Sequence, residues 1–417
     1  MMSVMKLVVK KFGGTSVGDI DRIRGVAKLV SEYRGRHPDT QLVVIVSAMA
    51  GETNRLIALA KSCVAEPDPR ELDALLATGE QASTALLSMA LNCVGLPAKS
   101  MDAQQARIFT DEKHLNACIE EIDSSALRSV LSSGKIPVIA GFQGVDPEGD
   151  ITTLGRGGSD ITAVAVAAAL KADACYIYTD VEGVYSTDPR ICKQAKRLAR
   201  VCHEEMLEMA SLGAKVLHAR SVYFAMRYEV PLVVLSTFNP KPETWIVKEE
   251  ELMEKPIVTG VTYRVDEAKL TVLRLPSNVR ALELIFSTLA KENIFIDMIT
   301  QSGADKGITN LSFTVPDESS SRALTLVQSM LPQLKAEGAS LERDIAKVSV
   351  VGIGMRYHTG VAAKMFEALA LEDINPEMIS TSEIKISVVV PRKYCEIAVR
   401  VLHQAFIEME PQIAAEV

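Results

Sequence analysis

Short, continuous apolar runs recur through the first half of the chain, and each gives way abruptly to glycine and small polar residues. Leu7-Val8-Val9 runs into Lys10-Lys11-Phe12-Gly13-Gly14-Thr15-Ser16, and Leu42-Val43-Val44-Ile45-Val46 into Ser47-Ala48-Met49-Ala50-Gly51-Glu52-Thr53. Pro137-Val138-Ile139-Ala140 passes into Gly141-Phe142-Gln143-Gly144, and Cys175-Tyr176-Ile177-Tyr178 into Thr179-Asp180-Val181-Glu182-Gly183-Val184-Tyr185. Apolar runs without polar alternation read as strands buried on both faces, and stretches such as Asp19 to Arg34 between them as helices. The alternation predicts a mostly parallel sheet covered on both sides, with Leu232 to Leu235 as its last strand. In such sheets ligands bind beyond the carboxyl ends of the strands. Every glycine-rich stretch just named falls at such an end.

The densest of these signals is Thr152-Thr153-Leu154-Gly155-Arg156-Gly157-Gly158-Ser159-Asp160, which leads straight into apolar Ile161 to Leu170. Glycines free the backbone for close approach to a ligand. The helix that follows would turn unpaired N–H groups and a positive dipole end toward the same spot, and Arg156 could hold a carboxylate with two parallel hydrogen bonds. The combination suits a small acidic metabolite beside a phosphate; an ordinary glycine-rich turn with an exposed arginine is the plainer alternative. The Walker A spacing G-x-x-x-x-G-K-[ST] is absent, since Lys10 and Lys11 precede their glycines.

The pattern changes after Asn239-Pro240-Lys241-Pro242 and the charged run Lys248 to Lys255. Beyond them the chain repeats: Ala268-Lys269-Leu270-Thr271-Val272 recurs as Ala346-Lys347-Val348-Ser349-Val350, Phe286 as Phe366, Ile294 through Asp297-Met298-Ile299 as Ile374 through Glu377-Met378-Ile379, and Leu311 to Pro316 as Ile386 to Pro391. Each copy reads strand, helix, strand, strand, helix, the pattern of a ferredoxin-like α+β module. The expected division is a catalytic domain over 1–245, a linker over 246–265, and regulatory modules over 266–340 and 341–417.

Composition narrows the function. The 417 residues are 48% hydrophobic and 24% charged, with 45 Lys+Arg against 53 Asp+Glu and a net charge of −8. With no dense basic run, neither nucleic acid nor an anionic membrane is an expected partner. Seven scattered cysteines, none in C-x-x-C spacing, read as reduced thiols, and six histidines show no ligand spacing, so no protein-held metal site is expected. No signal-peptide core and no membrane-spanning run point to a cytoplasmic protein.

Taken together, Lys11-Phe12-Gly13-Gly14-Thr15-Ser16-Val17, Val46-Ser47-Ala48-Met49, Thr78-Gly79-Glu80, Ala140-Gly141-Phe142-Gln143-Gly144, the Thr152–Asp160 stretch, Thr187-Asp188-Pro189-Arg190 and Ile379-Ser380-Thr381-Ser382-Glu383-Ile384 resemble the monofunctional aspartate kinases of the amino-acid kinase family over nearly the whole chain. The resemblance implies a three-layer αβα, carbamate-kinase-like domain followed by two ACT modules. It implies phosphorylation of L-aspartate by ATP with Mg2+ held through the phosphates and water, the first step toward lysine, threonine, methionine and diaminopimelate. Lys11 would stabilise the transferring phosphoryl group and Asp160 would organise the phosphate site, while neighbouring Lys10 is expected to be merely solvated. Arg156 and Ser159 would hold the aspartate carboxylates and Glu80 its ammonium, with Ser47, Thr53, Gly157 and Gly158 lining the pocket. ATP contacts are implied for Lys11, Gly13, Gly14, Thr179, Asp180, Tyr185, Asp188, Arg190 and Lys215.

Lysine and/or threonine are the implied effectors, at Ser277, Asn278, Asp297 and Gln301 in the first module and Gly360, Val361 and Asn375 in the second. The first module departs from relatives at Pro276-Ser277-Asn278-Val279-Arg280 and carries Phe295 where an effector-binding asparagine is usual. A phenyl ring cannot replace an amide that hydrogen-bonds an amino acid, so effector binding there should be weakened or altered. A homodimer or larger assembly through the ACT modules is expected. Two rival readings are a kinase acting on glutamate or acetylglutamate and an amino-acid sensor with an inactive kinase domain.

Overall fold

The computed structural model describes residues 6–214, 216–252, 256–303 and 307–409. Its two compact units are Met1–Val184 with Arg197–Ser211 and Lys215–Glu254, and Tyr185–Lys196 with Leu212–Ala214 and Lys255–Val417.

The first unit is built on an eight-stranded sheet. Its spatial order is Arg200–Cys202, Glu243–Val247, Leu232–Ser236, Ala174–Thr179, Leu7–Phe12, Gln41–Val46, Ile136–Ala140, Ala98–Met101. Neighbours are parallel except Leu232–Ser236 against Glu243–Val247. All six residues of Leu7–Phe12 are buried, the apolar Leu7-Val8-Val9 as such a run requires and both lysines with them. Helix Ile20–Arg36, capped by Asp19 accepting from the Arg22 N–H at 2.8 Å, packs Ile23, Val26, Ala27 and Val30 onto one face beside Leu87 and Leu91 of helix Pro69–Cys93. Helix Gly158–Leu170 packs against the first strand from the other face and is buried along most of its length. Three layers result.

Because side chains alternate across a strand, adjacent Lys10 and Lys11 take opposite faces. Lys10 is not solvated, contrary to the expectation: it is fully buried beneath helix Ile20–Arg36. Its ammonium donates to Tyr178 Oη at 2.7 Å and lies 3.6 Å from the centre of the Tyr33 ring, with Tyr176 alongside. Lys11 takes the side of helix Gly158–Leu170. A small second sheet, unforeseen from the sequence, orders Ile119–Ile122, Ile108–Thr110, Gln143–Val145 and Ile151–Thr153, and delivers the chain into the Gly155–Asp160 loop.

The second unit holds two four-stranded antiparallel sheets. The first runs Ile299–Gln301, Ile308–Pro316, Glu267–Pro276, Gly338–Glu342, and the second Met378–Thr381, Lys385–Pro391, Ile345–Val351, Gly260–Arg264. The expected strand–helix–strand–strand–helix core is present twice, and each sheet gains a fourth strand. Gly338–Glu342 follows the helix of its own module. In the second module that place is taken by Gly260–Arg264, from within the residues expected to be linker, so the second module is assembled from both sides of the first. Residues Tyr185–Lys196, expected in the catalytic domain, belong to this second unit.

Candidate active site

A cavity of about 300 Å³ opens at the carboxyl ends of the central strands of the first unit. Its lining includes Lys11, Gly14, Ser47, Thr53, Glu80, Arg156, Gly157, Gly158, Ser159 and Asp160, residues drawn from four separate stretches of the sequence. Thr179 ends the strand paired with Leu7–Phe12, so it and Asp180 lie at the same rim, and Gly13 N–H donates to Tyr178 O at 3.2 Å to hold the first glycine turn against that strand.

Lys11 Nζ is 2.6 Å from Asp160 Oδ1, both side chains being almost wholly enclosed. The carboxylate oxygen makes no other contact that counts as a hydrogen bond, so the ion pair with Lys11 is what satisfies it. Asp160 sits in the first turn of helix Gly158–Leu170, where an acid complements the helix dipole. Gly157 caps that helix at φ +75°, and a Cβ there would lie 2.4 Å from His218 Cβ. Both conditions demand glycine. Arg156 lines the cavity with an exposed side chain and no ion-pair partner among the described residues.

Glu80 is the least expected group chemically. It is 3% exposed, Oε1 accepts from the Ala48 N–H at 3.0 Å, and Oε2 is buried without a partner. Burial pushes its carboxyl up to about 7, against the Ala48 hydrogen bond that favours the charged form. Gly79 lets the helix approach Ala48 closely enough for that bond: a Cβ there would lie 3.0 Å from Ala48 Cβ. A buried carboxylate with one vacant acceptor atom facing a cavity is a receptor for a cation.

Several positioning residues escaped the sequence reading. Asp73, seven residues before Glu80 on the same face of the helix, is fully buried; it accepts from the Leu115 N–H at 3.0 Å, contacts His114 Nδ1 at 2.8 Å and takes the Thr153 hydroxyl, anchoring the strand that feeds the arginine loop. Arg220 donates to Leu154 O at 2.7 Å and Ala117 O at 3.0 Å. Two acids one helical repeat apart, among the small and apolar residues of one helix face, were a usable signal; nothing local marked Arg220 or His218.

The chain as a whole has relatives among known proteins. The amino acid kinase family matches residues 6–236, and an ACT domain matches 348–406. An aspartate kinase of Stutzerimonas stutzeri is 53% identical over 403 residues, covering 96% of this chain and 97% of that protein. The chain belongs to the aspartate kinases. An aspartokinase of Thermus thermophilus is 48% identical over 404 residues, 96% of this chain and 99% of its own length. Among solved structures, E. coli aspartokinase III in complex with aspartate and ADP matches with a TM-score of 0.80 at 28% identity, over 96% of this chain and 99% of that one. The same enzyme with lysine and aspartate gives 0.75 at 29% identity, again over 96% and 99%.

The remaining site expectations of this aspartate-kinase chain fall in the second unit or outside the described residues. Lys215 lies outside them. Tyr185, Asp188 and Arg190 belong to the second unit, where Arg190 grips Asp188 with contacts of 2.7 and 3.0 Å and Tyr263 Oη donates to the same carboxylate at 3.0 Å. Chiefly the Arg190 contact draws the Asp188 carboxyl down to about 2. In the first ACT module Asn278 caps helix Val279–Lys291, accepting from the Ala281 N–H at 2.9 Å, with Ser277 beside it; Asp297 is already engaged by Lys347, and Gln301 ends an edge strand. In the second, Gly360 caps helix Val361–Ala370 at φ +89°, Val361 is buried and Asn375 is exposed. No described helix is long and apolar enough to cross a membrane.

Proposed function

We propose that this chain transfers the γ-phosphoryl group of ATP to the β-carboxylate of L-aspartate, giving 4-phospho-L-aspartate and ADP. The observation that carries the reading is the company kept in one cavity: a buried carboxylate with a vacant oxygen, a free guanidinium, and an enclosed Lys11–Asp160 ion pair at a helix amino end. An amino dicarboxylic acid supplies the complementary groups, with its ammonium on Glu80 and carboxylates on Arg156 and Ser159.

The acceptor carboxylate has a pKa near ~3.9 and is already a nucleophile at neutral pH, so no general base is required. The protein's task is in-line positioning and neutralisation of charge on the phosphoryl oxygens. Lys11 is the group for that task, and Asp160 holds its ammonium in place. Gly14 and the amino end of helix Gly158–Leu170 offer backbone N–H groups to phosphate, with Gly13 turning the chain toward them. Mg2+ would arrive on the ATP phosphates, an ion that prefers water and phosphate oxygens to an all-protein cage. The nucleotide roles of Thr179, Asp180, Tyr185, Asp188 and Arg190 rest on the family resemblance, and the ATP KM of each alanine variant tests them. Cytoplasmic location, Mg2+ use, lysine or threonine as effectors at the ACT positions, and assembly through those modules belong to the same reading.

A hydroxamate assay with ATP, Mg2+ and a panel of acidic amino acids tests it. Turnover of L-aspartate with little of L-glutamate is the expected result. Turnover of glutamate alone would reassign the substrate, and turnover of neither would make the chain a sensor.

A further inference from the structure

The histidines have no ligand spacing along the chain, yet the fold of the second unit brings one of them against a thiol and a carboxylate. Cys192 lies on the segment Tyr185–Lys196; His403 ends helix Cys395–His403, and Glu408 ends the π-helical turn Gln404–Glu408 that continues it. Such turns are rare and often mark functional sites. Cys192 Sγ is 3.4 Å from His403 Nδ1 and 3.9 Å from Glu408 Oε1, and those two atoms are 2.8 Å apart. Cys192 and His403 are buried, while the Glu408 side chain is 29% exposed and leaves one approach from solvent.

We propose that Cys192, His403 and Glu408 form a binding site for a divalent transition-metal ion, with Zn2+ the best match. Zinc bonds of about 2.3 Å to sulfur and about 2.0–2.2 Å to nitrogen and oxygen, at tetrahedral angles, set donor atoms roughly 3.3–3.6 Å apart. The three observed separations bracket that range. One thiolate, one imidazole nitrogen and one carboxylate oxygen form a borderline donor set, unsuited to Mg2+, which takes oxygen ligands alone. The other ring nitrogen, Nε2, stands 2.9 Å from Ser186 Oγ, a partner that orients the ring so that Nδ1 faces Cys192 and Glu408. Gln194 Oε1, 3.7 Å from the sulfur, or a water fills the fourth position.

Hydrogen bonding alone leaves the cluster poorly used. Nδ1 can serve only one neighbour at a time, and the thiol's other acceptors, Gln194 and Glu408, are at 3.7 and 3.9 Å. A metal satisfies all three donors from one point. On binding, the Cys192 S–H bond breaks, a metal–sulfur bond forms and the proton leaves to solvent. The ion would then fasten Tyr185–Lys196 to the carboxyl-terminal end of the second module, beside the existing Lys196 Nζ to Ile407 O bond of 2.9 Å.

The test uses the full chain with exposed Cys63, Cys93 and Cys118 replaced by serine to remove competing thiols. After chelator treatment, Zn2+ is titrated calorimetrically and Co2+ is followed by its thiolate-to-metal charge-transfer absorption. One ion per chain, the charge-transfer band, and a Zn2+-dependent rise in Tm are expected. Cys192→Ser should abolish the band, and Glu408→Gln, at an exposed position, should weaken Zn2+ binding by at least about tenfold while leaving the metal-free Tm unchanged. A background protein that gives no band, or a band that survives Cys192→Ser, overturns the proposal.

Discussion

Replacing Glu80 by glutamine separates the cost of an enclosed carboxylate from its use. Displacement of its pKa from 4.5 to about 7 corresponds, at about 1.36 kcal/mol per pH unit, to roughly 3 kcal/mol. The folded-state value is the higher one, so this contribution to stability is present in full below about pH 4.5 and is lost as the pH rises through about 7. At pH 8 the ligand-free protein carries the whole cost of an ionised, half-satisfied Glu80. Glutamine keeps an oxygen for the Ala48 N–H and carries no charge, so Glu80→Gln should melt higher at pH 8, with the advantage fading toward pH 5. Aspartate binding should respond oppositely. Losing a charge-assisted contact to the ammonium costs about 1.5–3 kcal/mol, a rise in KM of roughly 10- to 150-fold. In the wild type only the ionised fraction binds, so aspartate affinity should fall about tenfold from pH 8 to pH 6, while the variant's profile reports the substrate's own titration. Thermal melts across pH and calorimetric titration of aspartate decide it. A variant that melts no higher at pH 8 and binds aspartate as tightly as the wild type would refute the assignment of Glu80 as the ammonium receptor.

Lys10→Met should stabilise the protein. Burial lowers the Lys10 pKa from 10.5 to about 7, a cost present in full below pH 7 that disappears by about pH 10.5; cation–π contacts return about 2 kcal/mol, so a gain of roughly 1–3 kcal/mol is expected at pH 6. Equal melting temperatures at pH 6 would contradict this. Lys11→Met should cut kcat by about 10²–10³-fold with the fold intact by circular dichroism, and near-normal turnover would remove Lys11 from the phosphoryl site. Phe295, 79% exposed between helix Val279–Lys291 and strand Ile299–Gln301, leaves room for an amide at its position. Phe295→Asn should therefore change lysine or threonine affinity in calorimetric titration, and identical affinities in the two proteins would dispose of the argument.

Five strands of the catalytic sheet were legible as apolar runs ending in polar or glycine-rich loops, strictly local signals. Ala98–Met101, Arg200–Cys202 and Glu243–Val247 mix polar residues in and were missed, the last continuing the sheet past Leu232–Leu235, expected to be its final strand. Cavity residues at strand ends, such as Gly14 and Ser47, followed because parallel strands bring their carboxyl ends to one rim; Glu80, inside helix Pro69–Cys93, was expected only from the family resemblance. What was hidden depended on pairing across the chain. Lys10 and Lys11 are indistinguishable as letters, and only strand alternation against a particular helix buries one in tyrosine rings and turns the other toward Asp160. Gly260–Arg264 reads as linker because its partner, Ile345–Val351, comes after an entire intervening module. Cys192 and His403 stand 211 residues apart, so no spacing rule could join them.

The repeat acquires a physical meaning once the two modules are seen within their unit. Lys269 and Lys347 occupy equivalent places in the two copies, as do Asp297 and Glu377. Each lysine pairs with the other module's acid: Lys269 lies 2.9 Å from Glu377, and Lys347 contacts Asp297 as well as Glu267 at 2.6 Å. Lys347 is 1% exposed, so its charge is tolerable only with both acids in place. Removing the first module would strand the buried Lys347 ammonium, and removing either would break up the shared cluster of Met298, Ile345, Met378 and Val389. A change at Asp297, one of the expected effector contacts, therefore reaches the central strand of the second module through a single ion pair. An effector that disturbed Asp297 would thereby disturb Lys347 in the core of the other module, so effector binding should couple the two modules.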